Sequence, residues 1–174
     1  MNITPVDNRA DLFYVEEVYP LTLLDKLTER YAASVPWRRE DMQAEWLRRR
    51  LDNTELVNEF DAYIKTCSSQ IEQATGFPIL SCDTGFWLDE PGFIVDKHLD
   101  NNAVSASMQI YMWDNDLLPG TAFYSDNSVR KEFAYKQNTG YLMINGANQW
   151  HGMTAKVPPD NYRLCSYTWF YPKV

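Results

Sequence analysis

The hydrophobic pattern of the chain changes at Phe77, and this change limits the possible folds more than any other feature. Before Phe77, apolar residues recur at helical spacing. After it, short segments rich in aromatic and β-branched residues are separated by turn signals such as Glu90-Pro91-Gly92 and Asn145-Gly146. Helices that precede a series of about eight short strands predict a mainly β (α+β) fold whose core is a sandwich, a barrel or a jelly roll.

The N-terminal part is predicted to contain one short strand and three helices. We expect the strand over residues 12–18, a first helix that begins at Pro20 and ends before Val35-Pro36, and a second helix over residues 40–51. A third helix begins at Asn53 or Thr54 and ends near Ala74, because Gly76 and Pro78 follow. Its apolar stripe is predicted to pack against a sheet. The predicted core strands are residues 79–88, 93–99, 105–113, 121–125, 133–135, 140–145, 150–155 and 162–171.

Length and charge narrow the class of protein. The 174 residues fit one domain over 1–174, with 1–78 as the N-terminal strand and supporting helices and 79–174 as the β-core. The formal net charge of −8 argues against nucleic-acid binding. Three cysteines without a CxxC motif, no signal peptide and no long apolar stretch predict a cytoplasmic protein without a membrane span.

The chain has only two histidines, and each lies in a predicted strand. His98 precedes Asp100 by two positions, so in an extended segment both side chains point to the same side. His151, from a distant strand, would add a second imidazole. Two imidazoles and one carboxylate on one face are the usual ligands of non-haem Fe(II), and they leave neighbouring positions open for a co-substrate and O₂. Two unrelated histidines are the alternative interpretation.

Arg163 follows His151 by twelve residues, at the start of the next predicted strand. A guanidinium group can bind a carboxylate through two parallel hydrogen bonds, so Arg163 is a candidate anchor for a dicarboxylate co-substrate.

Four segments in this order resemble the prolyl-hydroxylase-like branch of the Fe(II)/2-oxoglutarate-dependent oxygenases: HLDNNAVSASMQIYMW, GTAFY, NTGYLMINGANQWHGM and YRLCSYTWFY. The resemblance covers roughly residues 82–172. It implies a double-stranded β-helix (a cupin-like jelly roll) with N-terminal helices packed on one sheet. It also implies Fe(II) bound by His98, Asp100 and His151, with 2-oxoglutarate anchored by Arg163 and O₂ as the oxidant. The implied reaction hydroxylates a C–H bond of a peptidyl (prolyl-type) or amino-acid substrate and releases succinate and CO₂.

The chain departs from the pattern of that family at two places. Many members have Ser or Thr two places after the anchor arginine, where this chain has Cys165, and many have a co-substrate-binding Tyr where this chain has residues 87–89. Tyr111, Met112 and Trp87, with Phe93 and Trp150, either line the pocket or fill the barrel. Cys165, Tyr111, Met112 and Trp87 are therefore further candidates for the co-substrate site.

Two other functions remain open at this point. A cupin-like metal-binding protein would usually show an HxH motif, which this sequence lacks, and a non-catalytic interaction module would not need the complete set of ligands. The basic, Trp-bearing stretch of residues 37–39 (Trp-Arg-Arg) and 48–50 (Arg-Arg-Arg) could contact an acidic substrate, but interleaved acidic residues favour a solvent-exposed helix face. The sequence does not select between a peptide and a small-molecule substrate.

Overall fold

The computed structural model describes residues 1–32, 37–39, 47–51, 53–100, 105–125, 128–146 and 149–173. Three helices and eleven strands lie within these ranges. The helices are α1 (Leu21–Ala32), α2 (Thr54–Thr66) and α3 (Ser68–Thr75). The strands are β1 (Asn2–Pro5), β2 (Leu12–Glu16), β3 (Trp37–Arg39), β4 (Arg48–Leu51), β5 (Ile79–Asp89), β6 (Ala106–Tyr111), β7 (Thr121–Ser125), β8 (Ser128–Phe133), β9 (Thr139–Ile144), β10 (Trp150–Met153) and β11 (Arg163–Pro172).

The strands form one large and one small antiparallel sheet. The large sheet has the order β1-β2-β9-β6-β11-β5-β4-β3, and the small sheet has the order β10-β7-β8. Close strand packing at Gly140 of β9 shows how tightly the large sheet is built, because a Cβ there would lie 1.9 Å from the backbone oxygen of Gln109 in β6. The predicted fold class, a mainly β jelly roll with N-terminal helices, is confirmed.

Two apolar clusters lie on the two faces of the large sheet. The first joins the helices to the sheet, with Phe60 of α2 packed edge-on against Phe86 of β5 at 4.7 Å between ring centroids. The second lies between the sheets and includes Phe123 and Tyr141, whose rings are 4.8 Å apart. Alternation along the strands separates these two sets, because successive side chains point to opposite faces.

The predicted helices are only partly correct. The third predicted helix is interrupted at Cys67 and forms two helices, α2 and α3. Its predicted N-cap is present, because the side chain of Asn53 accepts a hydrogen bond from the Leu56 amide at 3.0 Å. Gly76 ends α3 with a positive φ of 70°. The second predicted helix, 40–51, is wrong over residues 48–51, which form strand β4, while residues 40–46 lie outside the described residues. Pairing with β5 overrides the local pattern there.

Most of the predicted core strands are present, with two exceptions. Residues 133–135 were predicted as a strand, but β8 precedes them and ends at Phe133. Residues 93–99 form no regular strand, although four backbone hydrogen bonds of 2.8–2.9 Å attach this segment to β10 and to Val157. No helix in the described part of the chain is long and apolar enough to cross a membrane. The three cysteines are unpaired.

Candidate metal centre and its cavity

The structure brings together the three side chains that the sequence marked as metal ligands. His98 and His151 exchange backbone hydrogen bonds of 2.8 and 2.9 Å as an isolated antiparallel bridge, so their side chains lie on the same side of it. Asp100 lies two residues after His98, and its Oδ1 is 3.4 Å from His98 Nε2 and 3.6 Å from His151 Nε2. One donor atom from each of the three residues lies within 4.8 Å of the other two.

Each imidazole is oriented by a backbone carbonyl. The Nδ1 of His98 lies 2.8 Å from the carbonyl oxygen of Asp96, and the Nδ1 of His151 lies 2.9 Å from that of Gln149. A carbonyl can only accept, so Nδ1 carries the proton in both rings and Nε2 is directed into the cluster. This is the arrangement in which a histidine binds a metal through Nε2 while a second group fixes its ring.

The carboxylate of Asp100 is held on its other side by Tyr167. The Tyr167 hydroxyl donates to Asp100 Oδ2 at 2.8 Å, which leaves Oδ1 directed at the two imidazoles. Burial raises the pKa of Tyr167 well above its ordinary value, so the hydroxyl remains a donor throughout the physiological range. The cluster therefore presents two nitrogens and one oxygen to a shared point, and this donor set fits a divalent transition metal.

The protonation of the cluster fits the same assignment. The hydrogen bond to Asp100 raises the pKa of His98, whereas burial lowers the pKa of His151. Burial by itself would raise the pKa of Asp100. The hydrogen bond to His98, the charge of His151 and the hydrogen bond from Tyr167 together outweigh burial, so the pKa of Asp100 lies below its ordinary value. A metal would take the place of the second proton, the one that the hydrogen bond to Asp100 favours on Nε2 of His98.

A cavity of about 310 Å³ opens beside the three ligands. Its size is in the range of pockets that bind small molecules. Its walls combine a polar interior with aromatic rings, and three of these rings, Trp87, Tyr167 and Trp169, pack against one another with centroids 5.2–6.2 Å apart. The Trp87 ring packs over Gly85, where a side chain would clash with it, because a Cβ at position 85 would lie 2.7 Å from the indole.

Strand β11 connects the ligand cluster to the far end of this cavity. Arg163, Cys165, Tyr167 and Trp169 alternate along it and all four line the cavity. Arg163 and Tyr167 are four residues apart, which is about 13 Å along an extended strand. A small molecule bound at the ligand cluster can thus reach toward Arg163 from within the cavity.

Arg163 is buried, with 1% of its side chain exposed. Its Nε donates to the carbonyl of Pro119 at 3.0 Å, its Nη1 to Asp89 Oδ2 at 2.8 Å and its Nη2 to Thr121 Oγ1 at 3.4 Å. The guanidinium also lies over the ring of Tyr111, 5.3 Å from the centroid. These contacts fix its position before any ligand binds.

The other residues suggested for the co-substrate site differ in where they lie. Trp87 and Cys165 line the cavity. Burial raises the pKa of Cys165 to about 11, so it is a neutral thiol and a weak donor. Tyr111 is fully buried beneath Arg163, and Met112 packs in the cluster between the helices and the sheet, on the opposite side from Tyr111.

Several residues of the site were not recognised from the sequence. Thr121 supplies the hydroxyl beside Arg163 that the family pattern would place at position 165. Asp89, Arg48 and Gln109 were also missed, as was Tyr167. Tyr167 could have been found, because the alternation that directs Arg163 and Cys165 into the pocket applies to it equally.

Comparison with known proteins gives the fold a precedent. No family model matches the chain, and no curated protein matches it in sequence. Among solved structures, a Pseudomonas putida prolyl-4-hydroxylase is similar with a TM-score of 0.71 and 15% identity, covering 94% of this chain and 93% of that one. The non-heme alpha ketoglutarate dependent epimerase SnoN from nogalamycin biosynthesis gives 0.67 and 14%, covering 94% and 79%.

HygX from Streptomyces hygroscopicus, with nickel and 2-oxoglutarate bound, is similar with a TM-score of 0.67 and 7% identity, covering 94% of this chain and 83% of that one. At such low identities these likenesses establish the fold alone. The assignment of a function therefore depends on the site itself.

Proposed function

We propose that this protein is an Fe(II)- and 2-oxoglutarate-dependent dioxygenase that hydroxylates a C–H bond. One observation carries the proposal: one ligand atom each of His98, His151 and Asp100 lie within 4.8 Å of one another at a cavity that is also lined by a buried arginine. Two nitrogens and one oxygen fit Fe(II), and Arg163 fits the far carboxylate of 2-oxoglutarate. Three similar folds belong to proteins that are named as prolyl hydroxylase or 2-oxoglutarate-binding.

Bound Fe(II) would supply the oxidative chemistry, in which O₂ converts 2-oxoglutarate to succinate and CO₂ while the substrate gains one oxygen. The residues of the chain set the geometry for it. His98, Asp100 and His151 would hold the metal, and Tyr167 holds Asp100 in place.

The substrate class we propose is a peptidyl (prolyl-type) residue or a free amino acid. The aromatic wall of Trp87, Tyr167 and Trp169 suits a small apolar ring or side chain near the metal. The cytoplasm is the compartment that we propose, since three unpaired cysteines fit a reducing environment. A cupin-like metal-binding protein without turnover is the alternative.

The first test is anaerobic addition of Fe(II) and 2-oxoglutarate, monitored by the visible charge-transfer band of the chelated pair. We expect the band in the wild type, its loss in His151→Ala and Asp100→Ala, and its weakening in Arg163→Ala. Asp96→Ala is the matched control, because its exposed side chain is removed while the carbonyl that orients His98 is kept. Absence of the band from the fully metallated wild type would remove 2-oxoglutarate from the proposal.

The second test addresses turnover. Peptides and free amino acids are screened for succinate formation and for a mass gain of one oxygen. A product from either set supports hydroxylation. A charge-transfer band without succinate from any candidate would favour the metal-binding alternative, and a product from neither set would contradict the proposed substrate class.

A further inference from the structure

Three charged residues lie directly opposite one another across neighbouring strands at the far end of the cavity. Arg48 of β4 is paired in register with Asp89 of β5, and Asp89 is paired with Arg163 of β11. Asp89 Oδ1 accepts from Arg48 Nε at 2.6 Å, and Asp89 Oδ2 accepts from Arg163 Nη1 at 2.8 Å. The carboxylate of Asp89 is fully buried and bridges the two guanidinium groups.

The formal charge of this group is unbalanced. Two guanidinium groups and one carboxylate leave one positive charge in a region where Asp89 and Arg163 are both almost completely buried. A buried charge without a counter-charge is costly, so the group has capacity for one more anion. Among the neighbouring acids in the described part of the chain, Glu90 is paired with Arg49 and Asp100 belongs to the candidate metal cluster. A single carboxylate from a ligand would complete the balance.

The two arginines differ in how much of their hydrogen-bonding capacity the protein uses. Each nitrogen of Arg163 already donates once to a protein oxygen, which leaves one N–H on each of its two terminal nitrogens for a ligand. Arg48 donates through Nε to Asp89, and no residue in the described ranges accepts from its two terminal nitrogens. Arg48 lines the cavity and keeps 17% of its side chain exposed, with its guanidinium 4.4 Å above the ring of Phe93. Its unused donors are therefore accessible from the cavity.

We infer that Arg48 is a second binding residue for the far carboxylate of the co-substrate. On this assignment, which rests on the proposed function, Arg163 and Arg48 donate to the two oxygens of one carboxylate while Asp89 holds both guanidinium groups in position. An anion with one distal carboxylate is thus the ligand that this end of the cavity selects. Cys165 lines the same cavity, but its thiol is a weak donor, so Arg48 gives the carboxylate a charged donor that position 165 does not provide.

The test pairs a change in the protein with a change in the ligand. The probes are 2-oxoglutarate and 2-oxopentanoate, which has the same five-carbon chain but a methyl group in place of the distal carboxylate. Their dissociation constants are measured from the charge-transfer band with anaerobic Fe(II). Arg48→Gln should raise the dissociation constant of 2-oxoglutarate about ten-fold or more, because one charge-assisted hydrogen bond is lost. The dissociation constant of 2-oxopentanoate should stay within about two-fold of the wild-type value.

Arg49→Gln is the matched control, because it removes the same charge from the neighbouring position of β4. Arg49 points to the other side of the strand, where it pairs with Glu90, and both ligands should bind this variant as they bind the wild type. Arg48→Lys keeps the charge but loses the planar donor group, and an intermediate loss for 2-oxoglutarate alone is expected. The affinity for Fe(II) without co-substrate should be the same in all three variants and the wild type.

The outcomes separate this inference from the proposed function. If Arg48→Gln lowers the affinity for both ligands equally, Arg48 does not bind the distal carboxylate, although the proposed enzyme class stands. The same conclusion follows if 2-oxoglutarate binding is unchanged in Arg48→Gln and Arg48→Lys. If the wild type gives no band with 2-oxoglutarate, the proposed function itself fails. If 2-oxopentanoate gives no band with the wild type, the comparison of Arg48→Gln and Arg48→Lys with Arg49→Gln for 2-oxoglutarate decides the question.

Discussion

Asp89→Ala should destabilise the protein strongly even though no metal or co-substrate is present. The substitution removes two hydrogen bonds between charged groups, of 2.6 and 2.8 Å, and leaves the guanidinium of Arg163 buried without its counter-charge. Hydrogen bonds to charged groups contribute about 1.5–3 kcal/mol each, and removal of one partner of a buried ion pair costs about 3–5 kcal/mol. Arg48 is partly exposed and can be re-solvated, so we expect a loss of about 3–5 kcal/mol in the free energy of unfolding.

Urea denaturation of the metal-free protein measures this loss, and a thermal melt should show a decrease of roughly 10 °C for a chain of this length. Asp83→Ala is the control, since it removes an exposed carboxylate from the same strand and should cost less than about 0.5 kcal/mol. In an Arg163→Met background, Asp89→Ala should lower the free energy of unfolding by less, because no buried guanidinium is then left without its counter-charge. A loss below about 1 kcal/mol for Asp89→Ala alone would refute the view that Asp89 is the required counter-ion.

Three further results are expected. Tyr167→Phe should weaken metal binding about ten-fold in a competition titration with a chromophoric chelator, because Asp100 loses the hydroxyl that orients it; unchanged affinity would contradict this role. Gly140→Ala should fail to fold stably in a melting experiment, since its Cβ would lie 1.9 Å from a backbone oxygen, whereas Gly146→Ala meets nothing within 4 Å and should behave as wild type. Metal affinity should fall as the pH decreases, because the hydrogen bond to Asp100 raises the pKa of His98 and the metal must displace that proton; equal affinities at pH 6 and pH 8 would argue against this.

Local periodicity was enough to predict part of the site. The two-residue spacing of His98 and Asp100 places both side chains on one side of an extended segment, and the alternation along β11 directs Arg163 and Cys165 into the cavity. The third ligand, His151, was associated with them only through the order of the motifs. The backbone bridge between His98 and His151 could not be predicted from the residues themselves, because nothing local specifies which distant segments pair.

The cluster around Asp89 was missed because it depends on register between strands that are distant in sequence. Residues 48–51 were predicted to belong to a helix, and nothing local in three consecutive arginines indicates which strand they pair with. Ion pairs with Asp89 and Glu90, made across the edge of β5, stabilise the strand instead. One signal was present in the sequence: Asp89 ends the apolar run Phe86-Trp87-Leu88, and a carboxylate beside such a run needs a cationic partner when it is buried.

The register of β11 against β5 connects the two ends of the proposed active site. Arg163 faces Asp89 directly, and four residues later Tyr167 faces Gly85 and holds Asp100. A shift of one residue would turn both Arg163 and Tyr167 toward the helix-side core, because successive side chains point to opposite faces. The Asp89–Arg163 ion pair opposes such a shift at one end of the strand, while the apolar alternation opposes it along the rest. The residue that balances the charge of the proposed anion site therefore also helps to keep Tyr167, and through it the proposed metal ligand Asp100, in place.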